Sequence, residues 1–454
     1  MSTIEQIAAA LQGYDPKALP AGHVNQFLAR LVEPVTATEP VGVFAALGRV
    51  LAEDVVSPIS VPPHDNSAMD GFAFDGAALR PGQPLTLRLA EGTAWAGTAW
   101  TGTAQPGQCV KIMTGAIMPA GLDTVVPVEF VKVDGDQVTL PADVLQRGDN
   151  RRLLGEDLMA GQPALRRGQT LGPASLGLIA SLGLPQVKVF RRLKVAYFST
   201  GDEILSLGEA PREGAVYDSN RYTVFGLLSR LGVEVIDMGV VKDEPAALEA
   251  AFRQAAREAD AIITSGGVSM GEADHTKAMM KQLGDVAFWR IAMRPGRPMA
   301  VGKISRDIAG DARFAAGPPQ GESAPSGGSA PREAGSVGAI LFGLPGNPVA
   351  VMVTFLAFVR PALQRMMGCA DSEPVLLKAR SAEALRKKPG RTEYQRGIVT
   401  RAADGTLHAR TTGNQGSGVL RSMVEANGLI VLHHGQGNVA VGDEVDVMMF
   451  DGVI

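Results

Sequence analysis

The sequence predicts a multidomain α/β protein. A central, mostly parallel sheet carries helices on both faces and is joined to an inserted β module, a helical connector domain and a small, β-barrel-like C-terminal module. The first observation is that residues 191–368 alternate short apolar runs with amphipathic stretches, the pattern of successive βαβ units. The second is that two other regions show short alternating segments broken by turn residues, which marks β modules. The third is length: 454 residues exceed one core and favour about three domains at roughly 150 residues each.

Residues 1–25 read as a loosely attached extension, a short helix followed by a Pro/Gly turn. In residues 26–56, FLARLVEP and then VGVFAALGRVLAEDV carry apolar residues at helical spacing, although Gly48 falls inside the second expected helix. With residues 151–190 they form the expected helical connector. Between them, residues 57–150 open with a loop rich in Pro, Asn, Ser and Gly and continue as LTLRLA, CVKIMTG, TVVPVEFVKV and QVTLP, an inserted β module. The 191–368 segment supplies strands such as KVAYFS, DAIITSGG and AILFGLPG, and helices such as EPAALEAAFRQAAREA. Within it, 22 of the 32 residues 305–336 are Gly, Pro, Ser or Ala. Such a stretch buries too little apolar surface to order itself, so a disordered surface insertion is expected. Residues 369–454 return to short strands and close the chain as a second β module.

Hydrophobic content of 45%, a charged fraction of 20% and a net charge of −4 describe a soluble globular protein and argue against a nucleic-acid-binding surface. Cys109 and Cys369 stand alone, which suits a reducing compartment and excludes a cysteine-rich zinc site. The N-terminus lacks the early Lys or Arg of a secretory signal, and the apolar run at 349–359 is shorter than the ~20 residues of a membrane span. The expectation is a cytoplasmic protein without membrane association.

Three strand-like runs end in glycine. LKVAYFSTGDE opens into Thr200, Gly201, Asp202 and Glu203; AIITSGGVSMG opens into Ser265, Gly266, Gly267 and Ser269; ILFGLPGNP ends in Pro345, Gly346 and Pro348. Ligands of open α/β sheets bind outside the carboxyl ends of the strands, so the three switches point to one crevice. A Gly/Ser loop before a helix exposes backbone N–H groups that attract phosphate. It is neither a Walker loop nor a GxGxxG, so nucleoside-triphosphate and dinucleotide sites are not supported. Asp202/Glu203, Asp243/Glu244 and Asp274 follow strands, Glu156/Asp157 follows an Arg-rich turn, and these acidic spots could hold Mg²⁺, which takes one or two carboxylates plus phosphates and water. Singly, Asp243 and Asp274 are better explained as helix caps; as a set, the carboxylates favour a metal and phosphate site. Arg290, Arg294 and Arg297 in RIAMRPGRP could fork onto an anion or simply face solvent, with nearly equal weight. The six histidines form no pair, which speaks against a Ser-His-Asp hydrolase.

DNSAMDGFA, IMTGA, RRLLGED, FSTGDE, YDSNR, SGGVSMGEADHT and GLPGNPV, in order from about residue 26 to the C-terminus, resemble the MoeA family of molybdopterin molybdenumtransferases, which includes the E domain of gephyrin. SGGVS and GLPGNP are shared with MogA-type adenylyltransferases and CinA-type domains; DNSAMDG and MTGA are more specific to the MoeA side. The resemblance implies a MogA-like central domain and a reaction in which molybdate and adenylylated molybdopterin give molybdenum cofactor and AMP, with Mg²⁺ assisting. It implies that Thr200, Gly201, Ser265, Gly266, Gly267, Ser269, Pro345, Gly346 and Pro348 hold the pterin and its phosphates. It assigns Asp157, Glu203, Asp243 and Asp274 to the acidic site, with Glu203, Asp243 and Asp274 on the metal. Asp70 and Thr114 would complete that site from the other subunit of a homodimer, and Arg290 or Arg294 would hold molybdate. A MogA-type adenylyltransferase is an implied partner. The family motif often reads Lys where this chain has Arg290, Arg294 and Arg297, and the 305–336 insertion is unusual for simple bacterial members. The rival readings are a MogA-type adenylyltransferase and a non-catalytic scaffold.

Overall fold

The computed structural model describes residues 3–268, 275–306 and 338–450. Ser269, Asp274 and nearly all of the insertion expected at 305–336 lie outside the described residues.

The central sheet has six strands: β1 (Lys194–Thr200), β2 (Glu234–Val241), β3 (Ala261–Ser265), β4 (Gly284–Arg290), β5 (Pro298–Ser305) and β6 (Gly338–Leu344). Their order is β2-β1-β3-β6-β5-β4. The first four are parallel, and β5 and β4 add an antiparallel edge. β3 is buried throughout and β1 in all but its first residue, the signature of strands covered on both faces. Side-chain alternation divides the sheet between two cores. Val195, Tyr197, Ile263 and Phe342 face helix Ser219–Leu231 and the long helix that starts at Pro348. Ala196, Phe198, Ile262 and Leu341 face helices Pro245–Glu258 and His275–Leu283. On that second face Phe198 meets Phe252 edge-on, with ring centroids 5.1 Å apart.

The chain from Pro348 to Met366 is helical, with a π-type stretch at Phe355–Val359 just before Pro361, which has no N–H to donate. By length and composition this helix could cross a membrane, but 78% of its apolar window is buried inside the protein, so its hydropathy belongs to the core.

The helix expected at 41–55 does not form. Thr38–Gly42 is a strand paired antiparallel with Gln186–Phe190, a short 3-10 turn follows at Val43–Ala46, and Gly48 sits at φ 72°. Left-handed backbone there breaks any helix, and the apolar residues reach their core from ribbons instead. The connector core of Ala46, Leu51, Val55, Leu165, Ile179 and Val189 therefore contains one full helix, Pro173–Ser181. The N-terminal residues are not loosely attached. Ile4, Ile7, Leu11 and Leu19 are buried in the main core, and Trp289 Nε1 donates to Tyr14 Oη at 2.8 Å.

The inserted module is a six-stranded sheet built on Gly71–Phe74, Leu85–Ala94 and Gln108–Ile112. At the C-terminus, Thr392–Arg401 pairs with both Leu407–Thr411 and Gly428–Leu432, which closes five strands into a barrel.

Truncating Phe198 to Ala leaves a cavity between β1 and helix Pro245–Glu258 and is expected to cost about 3–5 kcal/mol. Truncating Phe44, which is 98% exposed, is expected to change stability little. Urea unfolding midpoints of the two variants check the contrast.

Candidate functional site

β1, β3 and β6 end level with one another: Ser199 pairs with Ser265, and Ser265 with Leu344. Beneath their ends, the Tyr197 hydroxyl lies 2.8 Å from Ser199 Oγ and 2.7 Å from Ser265 Oγ, and the two serines are 3.2 Å apart. All three are buried, and burial pushes the Tyr197 phenol well above its ordinary value, so the triangle is neutral. Ser265 is therefore part of the floor and does not line the crevice.

Above that floor the chain needs glycine. A Cβ on Gly266 (φ 95°) would stand 2.4 Å from the Thr200 carbonyl oxygen, and one on Gly267 (φ 65°) 2.4 Å from Thr276 Cβ. Gly201 leaves room for the Glu203 carboxylate, which would lie 2.6 Å from a Cβ there. Thr276 Oγ1 donates to Asp243 Oδ1 at 3.1 Å and lies 3.4 Å from Thr200 Oγ1, so its hydroxyl links the helix after the β3 loop to the end of β2.

The turn after β6 is tied on three sides. Gly266 N donates to Leu344 O at 3.2 Å, Asn220 Nδ2 to Gly346 O at 2.7 Å, and Val349 N to Ser417 O at 3.2 Å. Pro348 takes the first helical position, where no N–H is needed. The last bond brings the barrel's 414–418 loop onto the sheet. That loop is held from inside by Arg396, whose guanidinium donates to Gly416 O at 2.9 Å and Ser422 Oγ at 3.0 Å. Burial, with Arg294 nearby, lowers the Arg396 pKa to about 10, which leaves it charged at neutral pH.

Between sheet and barrel lies a cavity of about 1020 Å³. Thr200, Gly201, Glu203, Asp243, Gly266 and Gly267 line its sheet side, with Pro345 and Gly346 at the turn. Arg391, Gln415 and Ser417 line the barrel side, together with Arg294 and Arg297 from the β4–β5 connection. The Met293–Arg294 strand pairs with Thr392–Glu393 and fixes that wall, and Arg391 Nε donates to the buried Glu393 at 2.8 Å. Arg391, Gln415, Ser417 and Thr276 are not among the residues sequence reasoning selects. The only trace of the barrel's contribution is the glycine-rich run GNQGSG at 413–418.

The other expected residues lie elsewhere. Arg290, at the end of β4, lines a smaller neighbouring cleft. Asp70, Thr114 and Asp157 are exposed and do not line the crevice of their own chain. Asp70 Oδ1 accepts from both Thr114 N and Thr114 Oγ1 at 2.6 Å, and Asp157 N donates to Val61 O at 3.1 Å in the adjoining loop. Among the described residues no three His, Cys, Asp or Glu side chains converge as a metal cage. The Glu203 and Asp243 pair does fit Mg²⁺, because that ion completes its oxygen shell with substrate phosphates and water.

Comparison with known proteins covers almost the whole chain. Residues 21–183 match the family described as MoeA N-terminal region (domain I and II), 196–365 the probable molybdopterin binding domain, and 378–450 the MoeA C-terminal region (domain IV). The chain is 38% identical over 420 residues to a molybdopterin molybdenumtransferase of Haemophilus influenzae, covering 92% of this chain and 95% of that one. It is 36% identical over 417 residues to one from a Nostoc species, covering 90% and 88%. The crystal structure of the molybdopterin biosynthesis moeA protein from Pyrococcus horikoshii OT3 matches with a TM-score of 0.74 at 25% identity, over 95% of this chain and 100% of that one.

The Thr114 hydroxyl and backbone N–H hold the Asp70 carboxyl below its ordinary value. The stabilisation this pair supplies is complete above the ordinary aspartate range and is lost as pH falls through the depressed value. Replacing Thr114 with Val is expected to move the Asp70 pKa upward, which a carboxyl-carbon NMR titration reads directly. An unmoved Asp70 would mean that the hydroxyl bond carries none of the shift.

Proposed function

The chain belongs to the MoeA family of molybdopterin molybdenumtransferases, and from that premise we propose how its crevice inserts molybdenum into molybdopterin in molybdenum-cofactor biosynthesis. The substrates in this reading are adenylylated molybdopterin and molybdate, and the products are molybdenum cofactor and AMP. The observation that supports it most is the division of charge across one cavity. Glu203 and Asp243 follow β1 and β2, whereas Arg294 and Arg297 come from the β4–β5 connection and Arg391 from the barrel.

Each side suits a different part of the substrate pair. Gly201, Gly266 and Gly267 line the crevice and would present main-chain groups to a pyrophosphate. Thr276 fixes the Asp243 carboxylate by donating to one of its oxygens. Mg²⁺, held by Glu203, Asp243 and the phosphates, would supply positive charge where AMP departs. Molybdate is a dianion and is repelled by those carboxylates, so the guanidinium forks of the opposite wall are its place. Of the two arginines expected to hold molybdate, Arg294 stands at that wall. The turn at Pro345 and Gly346, anchored by Asn220, offers a rigid edge for the flat pterin.

Asp70, Thr114 and Asp157 enter this reading from a second subunit. They are exposed, and exposed Met69, Leu153, Leu154 and Met159 accompany them in the same loops, apolar surface that suits a homodimer interface. A MogA-type adenylyltransferase would supply the adenylylated substrate, in the cytoplasm.

A single-turnover assay with adenylylated molybdopterin, molybdate and Mg²⁺ tests the reading. The expected result is molybdate-dependent AMP release with cofactor formation; ATP-dependent adenylylation of molybdopterin instead would replace insertion with the rival activity. Glu203→Gln and Asp243→Asn are each expected to slow AMP release by about 10²-fold, the scale of losing one charge-stabilising group. Two inactive variants, Asp70→Ala and Asp243→Ala, are expected to regain part of the activity when refolded together, since mixed dimers would contain one intact site. No recovery in verified mixed dimers would confine each site to one chain.

A further inference from the structure

A second cleft of about 340 Å³ adjoins the crevice, and its walls include Lys17, Arg290, Arg297, Lys388 and Arg391. We propose that this cleft is an anion subsite that holds a tetrahedral oxyanion beside the insertion crevice. The identity of the cargo rests on the molybdenum-insertion reading; the anion site itself does not.

Charge is the first argument. Among the described residues no carboxylate lines the cleft, although the chain as a whole carries −4. Arg391 is paired with the buried Glu393 at 2.7 Å, whereas Lys17, Arg290, Arg297 and Lys388 have no ion pair among the described residues. The nearest other acid in sequence, Asp15, spends one oxygen on the backbone N–H of Lys17 at 2.9 Å. Cations gathered around a concavity repel one another, and a bound dianion relieves that repulsion.

Preorganisation is the second argument. The cleft is assembled from three distant segments that main-chain hydrogen bonds hold in place. Arg290 N donates to Pro16 O at 2.8 Å, Leu19 N to Arg290 O at 3.1 Å, and Thr392 N to Ala292 O at 2.9 Å. Lys387 Nζ donates to Lys388 O at 3.1 Å and steadies the third segment. A volume of this size is at the small end of ligand sites, enough for a hydrated oxyanion or a terminal phosphate.

Position is the third. Arg297 and Arg391 line both cavities, so an anion in the smaller one is bound by side chains that also face the crevice. The oxyanion has two chemical sources, free molybdate or a phosphate of the nucleotide substrate.

Equilibrium dialysis of the full chain against molybdate separates these. The expected result is two molybdates bound per chain in the unaltered protein and one in a Lys17→Ala, Lys388→Ala double variant whose circular dichroism is unchanged. An Arg294→Ala variant is expected to keep the Lys17-dependent ion. Loss of that ion on adding AMP would assign the subsite to substrate phosphate, and its persistence would assign it to free oxyanion; both support the subsite. Equal molybdate stoichiometry in the unaltered protein and the double variant would overturn it. A Lys17-dependent ion in a protein that releases no AMP would retain the subsite and remove the insertion reading.

Discussion

The turn that follows β6 is the joint on which the rest of the molecule depends. Within a few residues its backbone receives the β3 loop through Gly266, helix Ser219–Leu231 through Asn220, and the barrel through Val349 and Ser417. Each bond is an ordinary one, worth about 1 kcal/mol net. Their effect is geometric, because each ties down a segment that lines the crevice. Nearby, Asn220 Oδ1 and Asp218 Oδ2 are buried with no hydrogen-bond partner among the described residues. Departures of that kind from local consistency are expected where function sets the structure.

Neither half of the crevice is chemically complete. The sheet brings glycine-lined backbone and carboxylates, as strand ends in an open α/β fold do. The barrel brings Arg391 and the 414–418 loop with Gln415 and Ser417, and that loop is held by the buried Arg396, whose guanidinium is met by the carbonyl oxygens of Asn414 and Gly416 and by Ser422 Oγ. Burying such a charge is unfavourable and lowers its pKa, and the Gln415 side chain adds a second tie to the same residue, accepting from Arg396 N at 2.8 Å and donating to Arg396 O at 3.1 Å.

Much of this was legible in the sequence. Strand-to-glycine switches at 200–201, 265–267 and 344–346 are local signals, and the parallel sheet turns local signals into neighbours. Arg391, Gln415 and Ser417 were not legible, because they reach the crevice through barrel closure and the Met293–Arg294 pairing, and nothing in their surroundings reports that contact. Arg290 was grouped with Arg294 by spacing along the chain, but the backbone turns between them, and the two side chains face different cavities. The misread helix at 41–55 has the same origin: apolar spacing there fits a helix, and only the left-handed Gly48 and a distant strand at Gln186–Phe190 decide otherwise. The N-terminal residues read as loosely attached because nothing in a short helix and turn reports that Ile4 N meets Asp285 or that Tyr14 meets Trp289.

β5 leaves the crevice at Pro298 and runs away from it to Ser305; β6 starts opposite, at Gly338, and runs back to Leu344. The two strands are in register at Ser305 and Gly338, at the end of the pair remote from the crevice. This gives the fold a place to grow. Residues gained or lost between the two strands leave the pairing, and hence the distance from Arg297 to Pro345, unaltered. Because the entropy of closing a loop grows only slowly with its length, chain added at that point costs little and stays apart from the chemistry at the other end of the same hairpin.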